Sequence, residues 1–342
     1  MTNRRGFFSS LAALGVGGQA LVRSGDLQAA VDQAQLRSDS IDDWPSMSYR
    51  TLGRTGFKAS RLFFGCGATL SRRRKDHLLE AALAAGVNVF DVGFSRYYDS
   101  AELHMAPFLK KHRDQLFLIS KAYVPADITP EQTVTAAEAR RAATGWLEYL
   151  DGSLKELQVD YVDAYYTMAA NNVSLVASDE LYAAFNKAKD AGKVRFLGLS
   201  THQNAQQVLT AAAQTGHYDL AMIAITPAGW YDWDGKKLLP GTKTLKELAP
   251  VLAQARAAGM GLVGMKAGRI LASRSFLGRG DQTLFDSHYD AGLRSAQLSP
   301  FQRSYAYVLA NGLDVVNADM QSLSHLKENF VAAATAEQYV TA

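Results

Sequence analysis

The sequence predicts a (β/α)8 TIM barrel with an N-terminal β-hairpin, and three observations support this fold class. Eight apolar runs of strand length alternate with segments whose apolar residues recur at helical spacing. Several of these segments close with an Ala-Gly helix stop, as at Ala85-Gly86 and Ala191-Gly192. The glycine-rich phosphate loop of an open doubly wound sheet is incomplete in the segment Gly65-Cys66-Gly67-Ala68, which disfavours that fold.

The N-terminal residues, numbers 1–34, are predicted to form a twin-arginine export signal. Arg4 and Arg5 supply its charged region, and the glycine-rich stretch 11–18 supplies a modest apolar segment. An amphipathic N-terminal helix with incidental arginines is the alternative. The apolar segment is too short and glycine-rich for a stable membrane span. We therefore expect the twin-arginine export machinery as a partner and a periplasmic or other extracytoplasmic location.

The rest of the chain divides into a polar linker, residues 35–46, and a barrel domain, residues 47–342. The domain opens with two short runs, 47–52 and 57–60, whose glycine-containing turn predicts a β-hairpin. The predicted barrel strands are 62–65, 87–91, 116–121, 161–167, 194–200, 220–225, 262–265 and 315–317. The predicted helices are 76–85, 101–111, 130–157, 179–191, 205–215, 245–258, 300–310 and 322–334.

Composition excludes several classes of protein and of site. The 342 residues are 48% hydrophobic and 20% charged, which is typical of a globular protein with a large core. The net charge is only +3 and the basic residues are spread along the chain, so we expect no nucleic-acid partner. A single cysteine excludes an intramolecular disulfide, and the seven histidines lack metal-ligand spacing, so no metal site is predicted.

Two opposite charges, Asp91 and Lys121, follow two of the predicted buried strands. An isolated ion at the mouth of a core is costly to desolvate, so such charges must be paired or functional. The carboxyl ends of barrel strands are where TIM-barrel enzymes place their active sites. The two residues therefore predict an active site, although a purely structural ion pair is the alternative.

The chain resembles the aldo-keto reductases over essentially all of residues 47–334. The matching segments are YRTLGRTG (49–56), GVNVFD (86–91), ISK (119–121), SLKEL (153–157), DYVD (160–163), GKVR (192–195), GLS (198–200), GMKAG (264–268) and LKEN (326–329). Their order and spacing carry the resemblance, since no segment is specific alone. The resemblance implies an oxidoreductase that transfers hydride between a nicotinamide cofactor, NADP or NAD, and a small-molecule aldehyde or ketone.

The resemblance also implies a catalytic set. In this family a tyrosine hydroxyl protonates the carbonyl oxygen, and a lysine held by a carboxylate favours proton loss from the phenol. By position Asp91 is the carboxylate and Lys121 the lysine. Tyr97 is the predicted acid and Tyr98 remains open, although ungapped alignment puts Arg96 there. Where the family has a histidine this chain has Met168, whose thioether cannot replace an imidazole donor.

The cofactor-binding residues implied by the resemblance are Ser200, at the nicotinamide carboxamide, and Asn329, near the adenine, with Lys266 and His325 as further contacts. The usual proline-glycine or basic phosphate-binding loop is replaced by a segment that contains Asp319, which would repel a phosphate. The mixed pattern leaves two other hypotheses open. One is a catalytically degraded barrel that acts as a non-catalytic ligand-binding protein, and the other is a barrel in which Arg96 binds an anionic substrate.

Overall fold

The protein is described by a computed structural model that covers residues 40–272, 274–275 and 278–339. The predicted export signal and residues 35–39 of the linker lie outside this part of the chain. The strands are β1 (Tyr49–Thr51), β2 (Lys58–Ser60), β3 (Leu62–Gly65), β4 (Val89–Asp91), β5 (Phe117–Tyr123), β6 (Val162–Met168), β7 (Val194–Thr201), β8 (Leu220–Thr226), β9 (Gly229–Asp232), β10 (Lys237–Leu238), β11 (Gly261–Met265), β12 (Arg274–Ser275), β13 (Gly278–Arg279) and β14 (Val315–Asp319). The α-helices are α1 (Gly67–Leu70), α2 (Asp76–Ala84), α3 (Ser95–Tyr98), α4 (Ala101–His112), α5 (Ala136–Leu157), α6 (Val173–Val176), α7 (Asp179–Asp190), α8 (Ala205–Thr215), α9 (Ala249–Ala257), α10 (Ala291–Ser295), α11 (Pro300–Ala310) and α12 (Leu323–Thr335).

Eight parallel strands close into a barrel, which confirms the predicted fold class. Their order around the barrel is β3, β4, β5, β6, β7, β8, β11 and β14, and β14 pairs with β3 to complete the circle. The predicted hairpin is present as the antiparallel pair of β1 and β2. All eight barrel strands start within two residues of their predicted positions, because their apolar runs are short and bounded by polar residues.

Helices surround the barrel and bury one face each against it. The longest, α5, has 22 residues and buries Trp146, Leu150 and Leu157 among its apolar contacts, while its other face is charged. Such a one-sided pattern is typical of a helix that packs on a globular core. Within the described ranges, no helix combines the length and the apolar character that crossing a membrane requires.

Two predicted helices begin later than expected. The helix predicted over 130–157 starts at Ala136, because Thr135 and Glu138 form a capping box there. Asn172 donates to the carbonyls of Thr129 and Gln132, at 2.7 and 2.8 Å, which holds the preceding segment as a loop. The helix predicted over 245–258 starts at Ala249, with a proline in its first turn. The sequence analysis also missed the β9–β10 hairpin that extends β8 beyond the barrel.

The barrel interior is filled by side chains, and the hairpin covers its amino-terminal end. Tyr166 of β6 lies inside against Gly198 of β7, where an added Cβ would stand 2.1 Å from the tyrosine ring. Leu52 and Phe57 of the hairpin pack into the same inner cluster. Arg54 fixes the hairpin to the barrel by hydrogen bonds to backbone carbonyls and a 2.6 Å ion pair with Asp219. The barrel is therefore closed at this end.

The amino-terminal end carries a repeated contact between neighbouring strands, which we call the seam bond. In each seam bond, a backbone N–H donates to a side-chain oxygen of the neighbouring strand. The oxygen belongs to a residue just before that strand or near its start, and the N–H belongs to a residue in the adjacent strand or just before it. The four acceptor–donor pairs, with N···O distances of 2.8, 2.8, 2.9 and 2.8 Å, are Asn88 with Ser60, Asp163 with Leu118, Asp219 with Leu197 and Asp314 with Leu262. The three aspartates also pair with arginines. The seam bonds occur at alternate strand junctions, β3–β4, β5–β6, β7–β8 and β11–β14, so each helps to fix the register within one pair of neighbouring strands.

Candidate active site

The carboxyl ends of the barrel strands open into a cavity of about 700 Å3, which we call the main cavity. Strand ends on opposite sides of the barrel line it, among them Gly65 of β3, Asp91 of β4, Ser200 of β7 and Met265 of β11. Helix α12 and the β9–β10 hairpin supply further walls. A TIM barrel places its reactive groups at this end, so the main cavity is the candidate active site.

The predicted pair of charges lies at the floor of the main cavity. The Nζ atom of Lys121 donates to both carboxylate oxygens of Asp91 at 2.6 Å and to the carbonyl of Val92 at 2.8 Å. The two side chains are only 5% and 4% exposed. Such a short, desolvated contact with several hydrogen bonds holds both charges in one geometry. The structure therefore brings Asp91 and Lys121 together as the sequence implied.

A third residue, Asn317 of β14, completes this contact and was missed by the sequence analysis. Its Nδ2 atom donates to Asp91 at 2.6 Å and also lies 3.4 Å from the sulfur of Met222. Its Oδ1 atom is buried and has no partner within the described part of the protein. The available signal was a polar residue at the end of an apolar strand, the same signal that identified Asp91.

Tyr98 packs against the ammonium of Lys121. The Nζ atom of Lys121 lies 5.4 Å from the centroid of the Tyr98 ring. The ring is seated between Gly67 and Gly93, where added Cβ atoms would stand 2.5 and 2.8 Å from its carbons. Burial, with the nearby charge of Asp91, raises the pKa of the Tyr98 hydroxyl well above its usual range. The hydroxyl is therefore protonated at neutral pH, and the same shift makes it a weaker proton donor than a free phenol.

The other two candidates for the acid position have different surroundings, and Tyr97 also lines the main cavity. Tyr97 is 42% exposed, and its ring contacts the edges of Tyr98 and Tyr123 with centroids 4.6 and 5.6 Å apart. Arg96 is exposed and donates to the hydroxyl of Tyr149 at 3.1 Å. All three candidates belong to the short helix α3, so a shift of one residue decides which side chain meets Lys121. In the structure that side chain is Tyr98.

Met168 and His202 occupy the remaining walls near the reactive pair. Met168 ends β6, is 5% exposed and lines the main cavity with an apolar surface. His202 follows β7, and its ring lies 5.5 Å from that of Trp233. Burial and the positive charge of Lys266 lower the pKa of His202 to about 3, so its imidazole is neutral. A neutral imidazole carries one N–H donor, which Met168 does not have.

A buried carboxyl lies behind Lys121, outside the barrel wall. Ser120 donates to the Oε1 atom of Glu102 at 2.5 Å and accepts the backbone N–H of Lys121 at 2.7 Å. Glu102 is 1% exposed, and its Oε2 atom has no partner within the described residues. Burial raises the pKa of Glu102 to about 7. Helix α4 is thus tied to the segment of β5 that carries Lys121.

The four predicted cofactor residues, Ser200, Lys266, His325 and Asn329, all line the main cavity with the catalytic candidates. Ser200 is 1% exposed at the inner end. Lys266 lies over the ring of Trp233 at 4.4 Å, and no salt bridge to it occurs in the part of the chain that the structure describes. Burial, with the nearby charge of Arg269, lowers the pKa of Lys266 to about 8. A buried cation of this kind is a ready partner for an anionic ligand.

The donor set and the size of the main cavity fit a dinucleotide. Ligand pockets commonly measure roughly 300–1,000 Å3, a range that includes this one. Lys266 and Arg269 line the cavity and supply positive charge. The N-terminus of α12, which Ser322 caps, attracts an anion. Asp319 and Glu328 line the same region and oppose additional negative charge. Both signs of charge therefore line the cavity, with Lys266, Arg269 and the N-terminus of α12 as the groups that could hold a cofactor phosphate.

Comparison with known proteins identifies the family. The aldo/keto reductase family matches residues 61–339 of this chain. The aldo-keto reductase YhdN of Bacillus subtilis (strain 168) is 28% identical over 163 residues, which are 45% of this chain and 47% of that protein. The chain spans about half the length of the curated relatives it matches.

Two solved structures support the fold. The holo form of an aldo-keto reductase from Bacillus halodurans has a TM-score of 0.60 at 18% identity, over 86% of this chain and 95% of that one. An aldo-keto reductase from Klebsiella pneumoniae, in complex with NADPH, has a TM-score of 0.57 at 19% identity, over 86% and 96%. Since the family match covers most of the sequence and the barrel carries the Asp91–Lys121 pair, the chain belongs to the aldo/keto reductase family.

Proposed function

We propose that the protein is an oxidoreductase that transfers hydride between a nicotinamide cofactor and an aldehyde or ketone, with Tyr98 as the acid. The observation that carries this proposal is the stack of Asp91, Lys121 and Tyr98 at the floor of a dinucleotide-sized cavity. Each member of the stack has a defined task in carbonyl reduction.

The protein's own groups handle the proton. When bound, the reduced nicotinamide supplies the hydride. Tyr98 donates its hydroxyl proton to the carbonyl oxygen, and the Lys121 ammonium stabilises the phenolate that remains. Asp91 keeps Lys121 charged and fixed in place, and Asn317 fixes Asp91 from the other side. Substrate in the cavity excludes water, which strengthens these electrostatic effects.

His202 takes the task of orienting the carbonyl oxygen in this proposal. It lines the same cavity as Tyr98 and is neutral, so it donates one hydrogen bond and does not compete for the acid's role. Met168 contributes only an apolar wall at the position where the family has a histidine. Replacing His202 by Leu should therefore raise KM and lower kcat, while a Met168→Leu change should be tolerated.

For the cofactor, the charges favour NADH over NADPH. The Klebsiella pneumoniae structure is in complex with NADPH, but this chain lines the α12 end of the cavity with Asp319 and Glu328. A 2′-phosphate adds negative charge near that end and is repelled. Calorimetric titration should show tighter binding of NADH. Asp319→Asn should strengthen NADPH binding more than NADH binding, and equal effects would contradict the charge argument.

The activity is tested by following nicotinamide oxidation with a panel of aldehydes and ketones. We expect turnover by the unmodified chain and a loss of about a hundredfold or more in kcat for Tyr98→Phe, the size of a general-acid contribution. Tyr97→Phe is the matched control, because it removes the neighbouring hydroxyl from the same helix. A larger loss for Tyr97→Phe would restore Tyr97 as the acid. Absence of both cofactor binding and oxidation would refute the reductase.

A non-catalytic ligand-binding barrel is the second candidate, and Met168 is the observation that favours it. A barrel that has lost its catalytic activity but kept its cavity is expected to have lost the family's histidine as well. This candidate predicts nicotinamide or substrate binding without turnover. It also predicts that Asp91→Asn leaves ligand affinity unchanged, whereas the reductase requires a clear loss of kcat in this variant.

A further inference from the structure

A second cavity of about 540 Å3 adjoins the main cavity at the same end of the barrel. Arg96, Phe94, Pro125 and Tyr149 are among its lining residues, and we call it the Arg96 cavity. Tyr123 and Met168 line both cavities, so the two spaces meet across these side chains. A ligand that reaches from Tyr98 into the second space would pass these two side chains.

Arg96 is the one charged side chain among the described residues that line this cavity. Its Nη1 atom donates to the Tyr149 hydroxyl at 3.1 Å, and its guanidinium carbon lies 5.1 Å from the centroid of that ring. Within the ranges that the structure describes, no carboxylate forms a salt bridge with Arg96. A guanidinium has five N–H donors in a planar fork that matches a carboxylate, so most of its donors remain for a ligand.

The rest of the Arg96 cavity combines aromatic and aliphatic side chains with the polar side chains of Thr167, Asn171 and Asn172. Phe94 contacts Tyr123 edge to face at 5.6 Å and lies 5.1 Å from Tyr149, so three rings form one wall. Pro125 and Leu175 are among the aliphatic residues that form the remainder. The aromatic wall fits the aromatic or other apolar body of a ligand.

From this geometry we propose that the substrate is a carbonyl compound with a carboxylate at the far end of an apolar body. The proposal rests on the proposed reductase function and narrows it to a substrate class. The carbonyl lies at Tyr98 and Lys121, the body crosses Met168 and Tyr123, and the carboxylate pairs with Arg96. Arg96 and Tyr98 both belong to α3, so one short helix sets the positions of the anion site and the acid.

Met168 acquires a specific task in this proposal. A histidine there would present a polar edge between the two cavities, which an apolar substrate body would have to desolvate. The thioether presents a flexible apolar surface of similar reach instead. The departure from the family pattern is thus a change in the substrate path, while proton transfer stays with Tyr98.

The test compares two acids with their methyl esters, which differ in charge and keep the aldehyde. The substrates are 4-formylbenzoate, 4-formylcinnamate and their methyl esters, assayed with NADH and NADPH on the full chain. We expect kcat/KM to favour at least one acid over its ester by about tenfold or more, the usual worth of a hydrogen-bonded charge. Arg96→Gln should remove that preference and leave the ester within about twofold, because the neutral ester forms no ion pair with Arg96.

Arg141→Gln is the matched control, since Arg141 is an exposed arginine on α5 outside both cavities. It should leave the acid preference unchanged. Equal losses for acid and ester in Arg96→Gln, or no preference for either acid, overturn the proposal.

Calorimetry separates this outcome from failure of the reductase itself. If no aldehyde is reduced, binding of the two acids to the chain is measured directly. Binding that Arg96→Gln abolishes and Arg141→Gln retains supports the anion site, and absent or unaffected binding refutes it.

Discussion

The ammonium of Lys121 lies over the ring of Tyr98, 5.4 Å from its centroid, and two glycines hold that ring in place. Gly67 begins α1 and Gly93 follows β4, so the seat of the ring is built from two separate loops at the barrel mouth. A cation over an aromatic face is attracted by the ring quadrupole, which reinforces the contact. The position of Tyr98, the proposed acid, therefore depends on the absence of side chains at Gly67 and Gly93 as well as on Lys121.

Replacing Gly67 or Gly93 by Ala should displace Tyr98, because the new Cβ atoms would stand 2.5 and 2.8 Å from the ring. We expect kcat to fall about tenfold or more, as a misplaced catalytic group allows, with little change in cofactor affinity. Gly152→Ala is the control, since no atom lies within 4 Å of its added Cβ. In a Tyr98→Phe background the glycine changes should cost nothing further, and an added loss there would argue against this seat.

Cofactor affinity should depend on pH through Lys266. Burial and Arg269 lower its pKa to about 8, so the free protein carries this charge below that pH and loses it above. The dissociation constant for NADH should therefore rise between pH 7 and 9.5, by about tenfold if one charged hydrogen bond is lost. Titrations across this range should be flat for Lys266→Met, while Lys155→Met, an exposed substitution on α5, should keep the dependence. A steep dependence in Lys266→Met would assign it to another group.

Glu102 should make the folded protein less stable as pH rises. Burial raises its pKa from 4.5 to about 7, so between these values the folded chain binds more protons than the unfolded chain. Its contribution is favourable at low pH and is lost by pH 7, at a cost of roughly 2–3 kcal/mol. Urea unfolding at pH 5.5 and pH 8 should show that Glu102→Gln is stabilising, and more so at the higher pH. Glu148→Gln, an exposed change, should be neutral at both, and a pH-independent effect of Glu102→Gln would refute the assignment.

The predicted export signal can be tested by changing Arg4 and Arg5 together to Lys. Twin-arginine export requires the paired arginines, so the unmodified chain should fractionate outside the cytoplasm and the variant inside it. Arg23→Lys, which lies beyond the pair, should leave the distribution unchanged. An unmodified chain found only with the cytoplasm would favour the alternative of an amphipathic helix with incidental arginines.

The sequence predicts the barrel well because short buried strands carry a simple signal. Apolar runs with polar boundaries fix the eight barrel strands to within two residues, and Asp91 and Lys121 stand out as charges at the ends of two of them. The acid position is harder, since α3 is a single turn and Arg96, Tyr97 and Tyr98 differ by only one step along the chain. The packing of Tyr98 against Gly67 and Gly93 decides which of the three side chains meets Lys121. The sequence pattern does not show that packing, because the glycines are distant from α3 or lie outside it in the chain. Asn317 was missed because its partner, Asp91, lies 226 positions away.

The seam bonds link the eight barrel strands in four neighbouring pairs. In each pair, one side-chain acceptor joins the two strands at the amino-terminal end of the barrel. Stability at that end comes from Asn88, Asp163, Asp219 and Asp314, none of which lines the main cavity. Unfolding resistance and chemistry are therefore encoded by separate residues at opposite ends of the same strands. Substitutions at the mouth, such as a methionine at position 168, can accumulate without opening the barrel. The scaffold is thus free to exchange one substrate for another while its base stays unchanged.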